Sequence, residues 1–346
     1  MIDFRYHLVS IVAVFLALAV GIVLGSTELR GVAISALDRT SSSLSNKLDA
    51  ANNENNALQQ QVQGDHEFAS AAEPVLLKGL LDGKKVVIIT TPGASASVVN
   101  GIKTGLSDAG ATVSGQVTLS SKFADTSASN LSLLDQLTER VTPASLTLVN
   151  GSPQQQAAQV LASALVSKGS GDSGSGSSSK GSSGSNSGNG SISSQNAQTI
   201  LSSYSAGQFI TVSGQPASGA TLAVIVTPNS IPQDGNSDPA NQAVVALAQE
   251  FGTSSEATVV VGASATSSPG SAISAVRSSG AANDASTVDN ADTVVGQIVA
   301  VQALEQQMNG KKPGSFGTQS DANNAGPSPA PTASASPSAS KSSKGK

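Results

Sequence analysis

The sequence has no cysteine and no tryptophan, and its 346 residues include two histidines and two methionines. Without cysteine there is no disulfide framework, no thiolate nucleophile and no sulfur-based zinc or iron–sulfur site. The histidines are His7 and His66, both near the N-terminus. A Ser-His arrangement within residues 73–317 is therefore excluded, and with Met308 the only methionine of that span, so is a site rich in the nitrogen and sulfur ligands that soft metals prefer. Aromatic residues make up 3% of the chain, so Val, Ile, Leu and Ala must fill any core, a composition that suits strands buried on both faces. Charged residues amount to 12% and the net charge is −5, with no basic stripe, which excludes a nucleic-acid partner.

Part of the length cannot contribute to a core. Residues 168–194 are almost wholly Ser and Gly, and residues 318–346 are Pro, Ala, Ser and a few Lys. Neither stretch can bury enough apolar surface to offset the entropy of ordering, so a disordered insertion and a disordered tail are expected.

Leu8 to Gly25 runs for 18 residues without a charge. As a helix that is about 27 Å, close to the hydrocarbon thickness of a bilayer. The expectation is an uncleaved membrane anchor over residues 1–30, with a cleaved signal peptide as the alternative, since the nearest small-x-small site, Ala33-x-Ser35, lies well past the apolar run. Basic residues on the two flanks do not set the orientation. The short N-terminal tail points to a single-pass protein of the cell membrane with its bulk extracytoplasmic. Ala17, Gly21 and Gly25 recur every four residues and give one helical face on which two helices can approach closely.

A heptad pattern follows over residues 31–66. With Leu37 as d, the d positions are Leu37, Leu44, Ala51 and Leu58, and the a positions are Ile34, Ser41, Leu48, Asn55 and Val62. Leucine at d with a polar Asn55 at a favours a parallel, two-stranded coiled coil, a stalk of about 43 Å. The competing reading is an amphipathic helix folded back on its own domain.

Residues 73–317 read as an α/β domain. Lys85-Val-Val-Ile-Ile-Thr90 and Leu222-Ala-Val-Ile-Val-Thr227 are expected strands that each run into Thr-Pro, and each is followed by a helix and another strand, Ala111–Leu119 and Thr258–Val261. Asp238 is placed to cap a helix with Pro239 at its first position and Gly252 past its end. A last helix, Thr293–Met308, would be capped by Asp292 and closed by Gly310. Such alternation predicts a mostly parallel, Rossmann-like βαβ sheet with helices on both faces. Its ligand positions would be the loops at Thr91–Ser95, Pro228–Gly235 and Gly262–Ser268.

No motif for chemistry survives inspection. Gly169-x-Gly171-x-x-Gly174 falls in the Ser/Gly tract with no strand before it, and Gly79 to Lys85 lacks the spacing of a phosphate loop. Asp284, Asp289 and Asp292 are close in sequence and could hold a hard cation, or be a cap and solvated loop residues. The metal-ligand candidates are His7, His66, Met308, Asp289 and Asp292. The residues show no evident cofactor and no catalytic constellation, so a non-enzymatic protein is expected.

Arg5-x-His7-x-x-Ser10 leading into Ala13-Val-Phe-Leu-Ala-Leu-Ala19-x-Gly21-x-x-Leu24-Gly25, the heptad stretch, and Thr287-Val-Asp-Asn-x-Asp292 together resemble the MctB family of actinobacterial envelope proteins. The resemblance implies a role in copper transport or homeostasis, copper being implied by it alone. Some members of the family are described as channel-forming, and related proteins are linked to envelope remodelling at cell separation. Two functions thus stand beside each other: a copper-efflux or copper-tolerance protein, and a homodimeric, non-enzymatic envelope module that binds or regulates a wall-remodelling partner. An enzyme acting on a small envelope metabolite is a third.

Overall fold

A computed structural model describes residues 4–168, 192–217, 219–264 and 268–328. The Ser/Gly tract, its Gly169-x-Gly171-x-x-Gly174 match and the tail beyond Ser328 lie outside the described residues. The chain divides into two units, Met1–Glu67 and Phe68–Lys346.

The first unit is helical. It belongs to α1 (Phe4–Leu77), which passes Gly31 without a break. Tyr6–Gly25 is long and apolar enough to cross a membrane. The second unit begins with the last turns of α1. The helix was expected to give way to the domain at Pro74, but it continues to Leu77 because Ala69, Glu73 and Leu77, four residues apart, form one buried stripe. Pro74, in the last turn of α1, cannot donate to the carbonyl four residues before it, a cost that the burial of Ala69 and Leu77 offsets.

Glu73 is the exception in that stripe. It is 6% exposed, its Oε1 has no hydrogen-bond partner, and it lies against α2 (Ala96–Asp108) where Gly105 leaves room. A Cβ at Gly105 would stand 3.2 Å from that oxygen and 3.5 Å from Val301. Burial first, and then the charge of Asp108, hold the Glu73 carboxyl above its ordinary range. The folded state therefore keeps a proton that the unfolded chain releases. Stability should be highest below the ordinary glutamate pKa and fall as pH rises towards the raised one, staying low above it. Glu73→Gln should abolish that decline and stabilise the protein at neutral pH by about 1 kcal/mol, seen as a higher Tm at pH 7 and an unchanged Tm at pH 4. Equal Tm values for the two proteins at both pH values would show that the carboxyl finds water instead.

The sheet has seven strands in the order β3-β2-β1-β4-β5-β6-β7. These are β1 (Lys85–Thr90), β2 (Thr112–Leu119), β3 (Ile210–Gly214), β4 (Leu222–Val226), β5 (Ala257–Val261), β6 (Ser286–Val288) and β7 (Ser315–Phe316). Every pairing is parallel except that of β2 with the edge strand β3. Burial of β1, β4 and β5 on both faces explains why they read as continuous Val/Ile runs. Val87 and Ile89 of β1 face one core with α3 (Ala128–Val141), α4 (Pro153–Leu165), α5 (Ser194–Ala206), α6 (Pro239–Ser254) and α7 (Ala272–Arg277). Val86 and Ile88 face the other, with α2, the end of α1 and α8 (Val294–Met308). The mixed α/β class and the mostly parallel sheet are as expected.

Three local expectations are corrected. Asp238 does cap α6 through the Ala240 N–H, with Pro239 in the first turn, but the helix runs past Gly252 to Ser254. Gly252 is there for closeness rather than termination, since a Cβ would stand 2.4 Å from the Asp284 carbonyl oxygen. Thr293, not Asp292, caps α8, accepting from the Gly296 N–H at 3.1 Å. Asp292 instead accepts from the N–H and hydroxyl of Ser264. Ordered packing also runs beyond residue 317, because Thr318 and Gln319 donate their N–H groups to Asp289.

Candidate functional site

The chain goes from β1 out to β2 and returns to β4 on the other side of β1, so the strand order reverses between β1 and β4. In open α/β sheets that reversal opens a crevice beyond the carboxyl ends of the strands. Both bordering loops carry the Thr-Pro pair. They are tied together, with Ala94 bridged to Pro228, Asn229 donating its N–H to the Gly93 carbonyl, and the Thr91 hydroxyl donating to the Val226 carbonyl at 2.9 Å. The loops at Thr91–Ser95 and Pro228–Gly235 thus meet where the sequence placed them. Residues 265–267 of the third expected loop lie outside the described residues.

Two cavities flank this junction. One, of about 460 Å³, lies between Pro92, Phe123, Pro228 and the start of α6, and its charged lining groups are Asp125 and Asp238. Both are engaged, Asp125 accepting from Ser127 and Asp238 from Ala240. The other, of about 370 Å³, lies on the α2 side, floored by Gln116, Thr90 and Thr118, with Lys103 donating to Gln116 at 2.9 Å. The lining of neither contains histidine, cysteine or a pair of free carboxylates. Each cavity is of a size that takes a small ligand.

Asp289 is a buried carboxylate bonded through both of its oxygens. Its side chain is 0% exposed; Oδ1 accepts from the Thr318 N–H, and Oδ2 from the Gln319 N–H and Arg277. Arg277, 5% exposed, also donates to Asp321, to the Thr287 hydroxyl and to the Phe316 carbonyl. This network pins residues 316–321 to the ends of β6 and β7. Both carboxylate oxygens of Asp289 are thus engaged by protein donors, the Thr318 hydroxyl at 3.4 Å from Oδ1 being a fourth.

The other metal candidates are dispersed. His7 and His66 are exposed on α1, Met308 is half-buried at the end of α8, and Asp292 is held by Ser264. Among the described residues, no three His, Cys, Asp or Glu side chains gather closely enough to hold a metal ion.

The dimerisation candidates all lie on α1. Gly21 and Gly25 have open space where a Cβ would be, and Ala17 belongs to the same exposed helix. Leu37, Leu44, Leu48 and Leu58 are each more than half exposed, and Asn55 accepts from Gln59 one turn on. In the second unit Phe68, Val75 and Leu76 are exposed as well. Phe123, Phe209, Phe251 and Phe316 are all buried, so Phe68 stands out. Sequence reasoning missed it because its period is one step off the heptad frame.

The model of one protein family, described as copper transport outer membrane protein, MctB, matches residues 1–327. The chain belongs to the MctB family. Among its relatives, a protein named copper transporter MctB from Mycobacterium tuberculosis is 26% identical over 322 residues, covering 92% of this chain and 96% of the relative. That of Mycobacterium leprae is 28% identical over the same coverage. The MctB-family match takes in α1, the sheet and the segment pinned by Asp289, so the likeness is of the whole architecture rather than of one motif.

Proposed function

We propose that this protein serves copper transport or homeostasis at the cell envelope, as a non-enzymatic, membrane-anchored homodimer. The observation that carries the reading is the family match along residues 1–327, with relatives named copper transporter over nearly their full length. The apolar helix Tyr6–Gly25 supplies a single-pass anchor, residues 31–66 a coiled-coil stalk, and the bulk lies outside the cell. The doubly covered parallel sheet supports a Rossmann-like reading of the domain. The described sheet is open, with β3 and β7 as its edges, so it is the helix that would hold the chain to a membrane.

Copper here is cargo. Residues 68–328 have no cysteine, no histidine and one methionine, Met308, so the domain lacks the donors for tight Cu(I) binding. This favours action through the anchor, the stalk or a partner. It also sustains a second reading, in which the domain binds a protein of cell-wall remodelling or cell separation. Deleting the gene should make cells copper-sensitive, and the full chain should restore tolerance, with Met308→Leu as effective as wild type. In a chromogenic chelator competition, the detergent-solubilised full chain should retain no copper that depends on Met308. Stoichiometric, chelator-resistant Cu(I) lost on Met308→Leu would overturn the ligand argument. Unchanged copper tolerance in the deletion strain would end the copper reading and leave the second.

A further inference from the structure

Strand β3 closes one side of the sheet, and no described strand pairs with its outer edge. Ser120 donates its N–H to the Phe209 carbonyl, and Gln215 donates to Ser114. Between those contacts the antiparallel register pairs Leu119 with Ile210, Val117 with Val212 and Gly115 with Gly214. Hydrogen-bonded and open pairs alternate along such a ladder, so Thr211 and Ser213 turn their backbone groups to β2. Ile210, Val212 and Gly214 turn theirs outward, and these have no partner among the described residues.

Exposed edges are commonly guarded by lysine, by proline or by a bulge. Ile210-Thr-Val-Ser-Gly214 carries no lysine, no proline and no shift of register, and Pro216, two residues on, lines the groove beside it. Beside the edge runs a groove of about 480 Å³. One wall is a single face of α5, formed by Gln198, Leu201, Ser202 and Ser205, and the other is Val212 with Gly214. No charged residue lines it. A strand edge beside a helix is the setting in which a peptide adds as a further strand, its main chain bonding to the edge and alternate side chains entering the groove.

We propose that this groove binds an extended, uncharged peptide segment of a partner protein, with apolar side chains at alternate positions. Ile210 and Val212, two apart, present their outward groups at the repeat of an extended main chain, and Gly214, at a φ of 76°, ends it. Val212, Pro216 and Ala217 offer the apolar contact for alternate side chains. The lining hydroxyls and amides suit a neutral segment, and a buried charge there would find no counter-ion. The proposal rests neither on copper nor on the dimer, and the crevice at β1 and β4 is untouched by it.

Hydrogen exchange on the full chain in detergent tests it, with the blocked peptide acetyl-Ser-Val-Thr-Val-Thr-Val-amide as probe and its counterpart with each Val replaced by Asp as control. The valine peptide should slow exchange in residues 210–214 by an order of magnitude, and the aspartate peptide should not. Val212→Pro removes one outward N–H while sparing the bonds that Thr211 and Ser213 make to β2, and should abolish the protection. Should that variant misfold, Ser202→Glu, which puts a charge into the groove from an exposed position, should abolish it too. Absence of slowing at millimolar valine peptide, or slowing that survives in folded variants, would overturn the proposal. Protection that grows with protein concentration in the absence of peptide would assign the edge to a second copy, and would also overturn it.

Discussion

Asp289→Ala is expected to lower the stability of the domain by about 3 to 5 kcal/mol, because it strands a buried charge. Arg277 would keep Asp321, whose carboxylate is partly exposed, and would lose the partner that is fully buried. The N–H groups of Thr318 and Gln319 would lose their acceptor in the same change, so residues 316–321 should loosen together. Urea denaturation should show a lower midpoint with a nearly unchanged slope, since the loosened segment is a small part of the surface exposed on unfolding. The double variant Arg277→Met with Asp289→Leu should be less destabilised than Asp289→Ala alone, because it removes both charges instead of orphaning one. A loss for Asp289→Ala within ~1 kcal/mol would equate this pair with an exposed one and dismiss the idea that it pins the segment.

Replacing Leu44, Leu48 and Leu58 together with lysine should convert a dimer into monomers. Burying a leucine contributes about 1.5 to 3 kcal/mol, and the six that two chains would place in one seam exceed the ~8 kcal/mol that corresponds to micromolar association. All three are exposed in the single chain, so their replacement leaves the sheet domain alone. Sedimentation of the full chain in detergent reads the outcome directly. A monomeric wild-type protein would dispose of the stalk as an oligomerisation element, and a dimeric triple variant would move the contact to the Ala17, Gly21 and Gly25 face.

What could be read from the sequence is what periodicity and end chemistry encode. The β1, β4 and β5 runs, the Asp238-Pro239 start of α6 and the Thr-Pro loops all stand where they were expected. The short strands β6 and β7, three and two residues long, were not visible, because so few residues carry no detectable alternation. Residues 318–324 read as tail because their composition is polar and aperiodic. They are held by buried acceptors, Asp289 above all, which hydropathy does not register. Gly252 illustrates a different limit: glycine near a helix end signals termination or close approach alike, and only the Asp284 carbonyl across from it decides. Asp289 and Asp292 looked like a pair in sequence, yet one turns to Arg277 and the other to Ser264. Adjacency along the chain does not give a shared direction.

The pairing of β1 with β4 has a bearing on how the chain is made. Ile88 lies beside Val224, so the central strand of the sheet gains its second neighbour only after the intervening helices, β2, β3 and the Ser/Gly tract have been synthesised. Contacts so distant in sequence slow folding, and a Val-Val-Ile-Ile strand left with an open edge invites association with other chains. The length of the Ser/Gly tract adds little to this delay, since closure entropy grows only slowly with loop length. The vulnerable interval lies between the emergence of β1 and the arrival of β4. A chaperone that shields extended apolar segments would be most needed there.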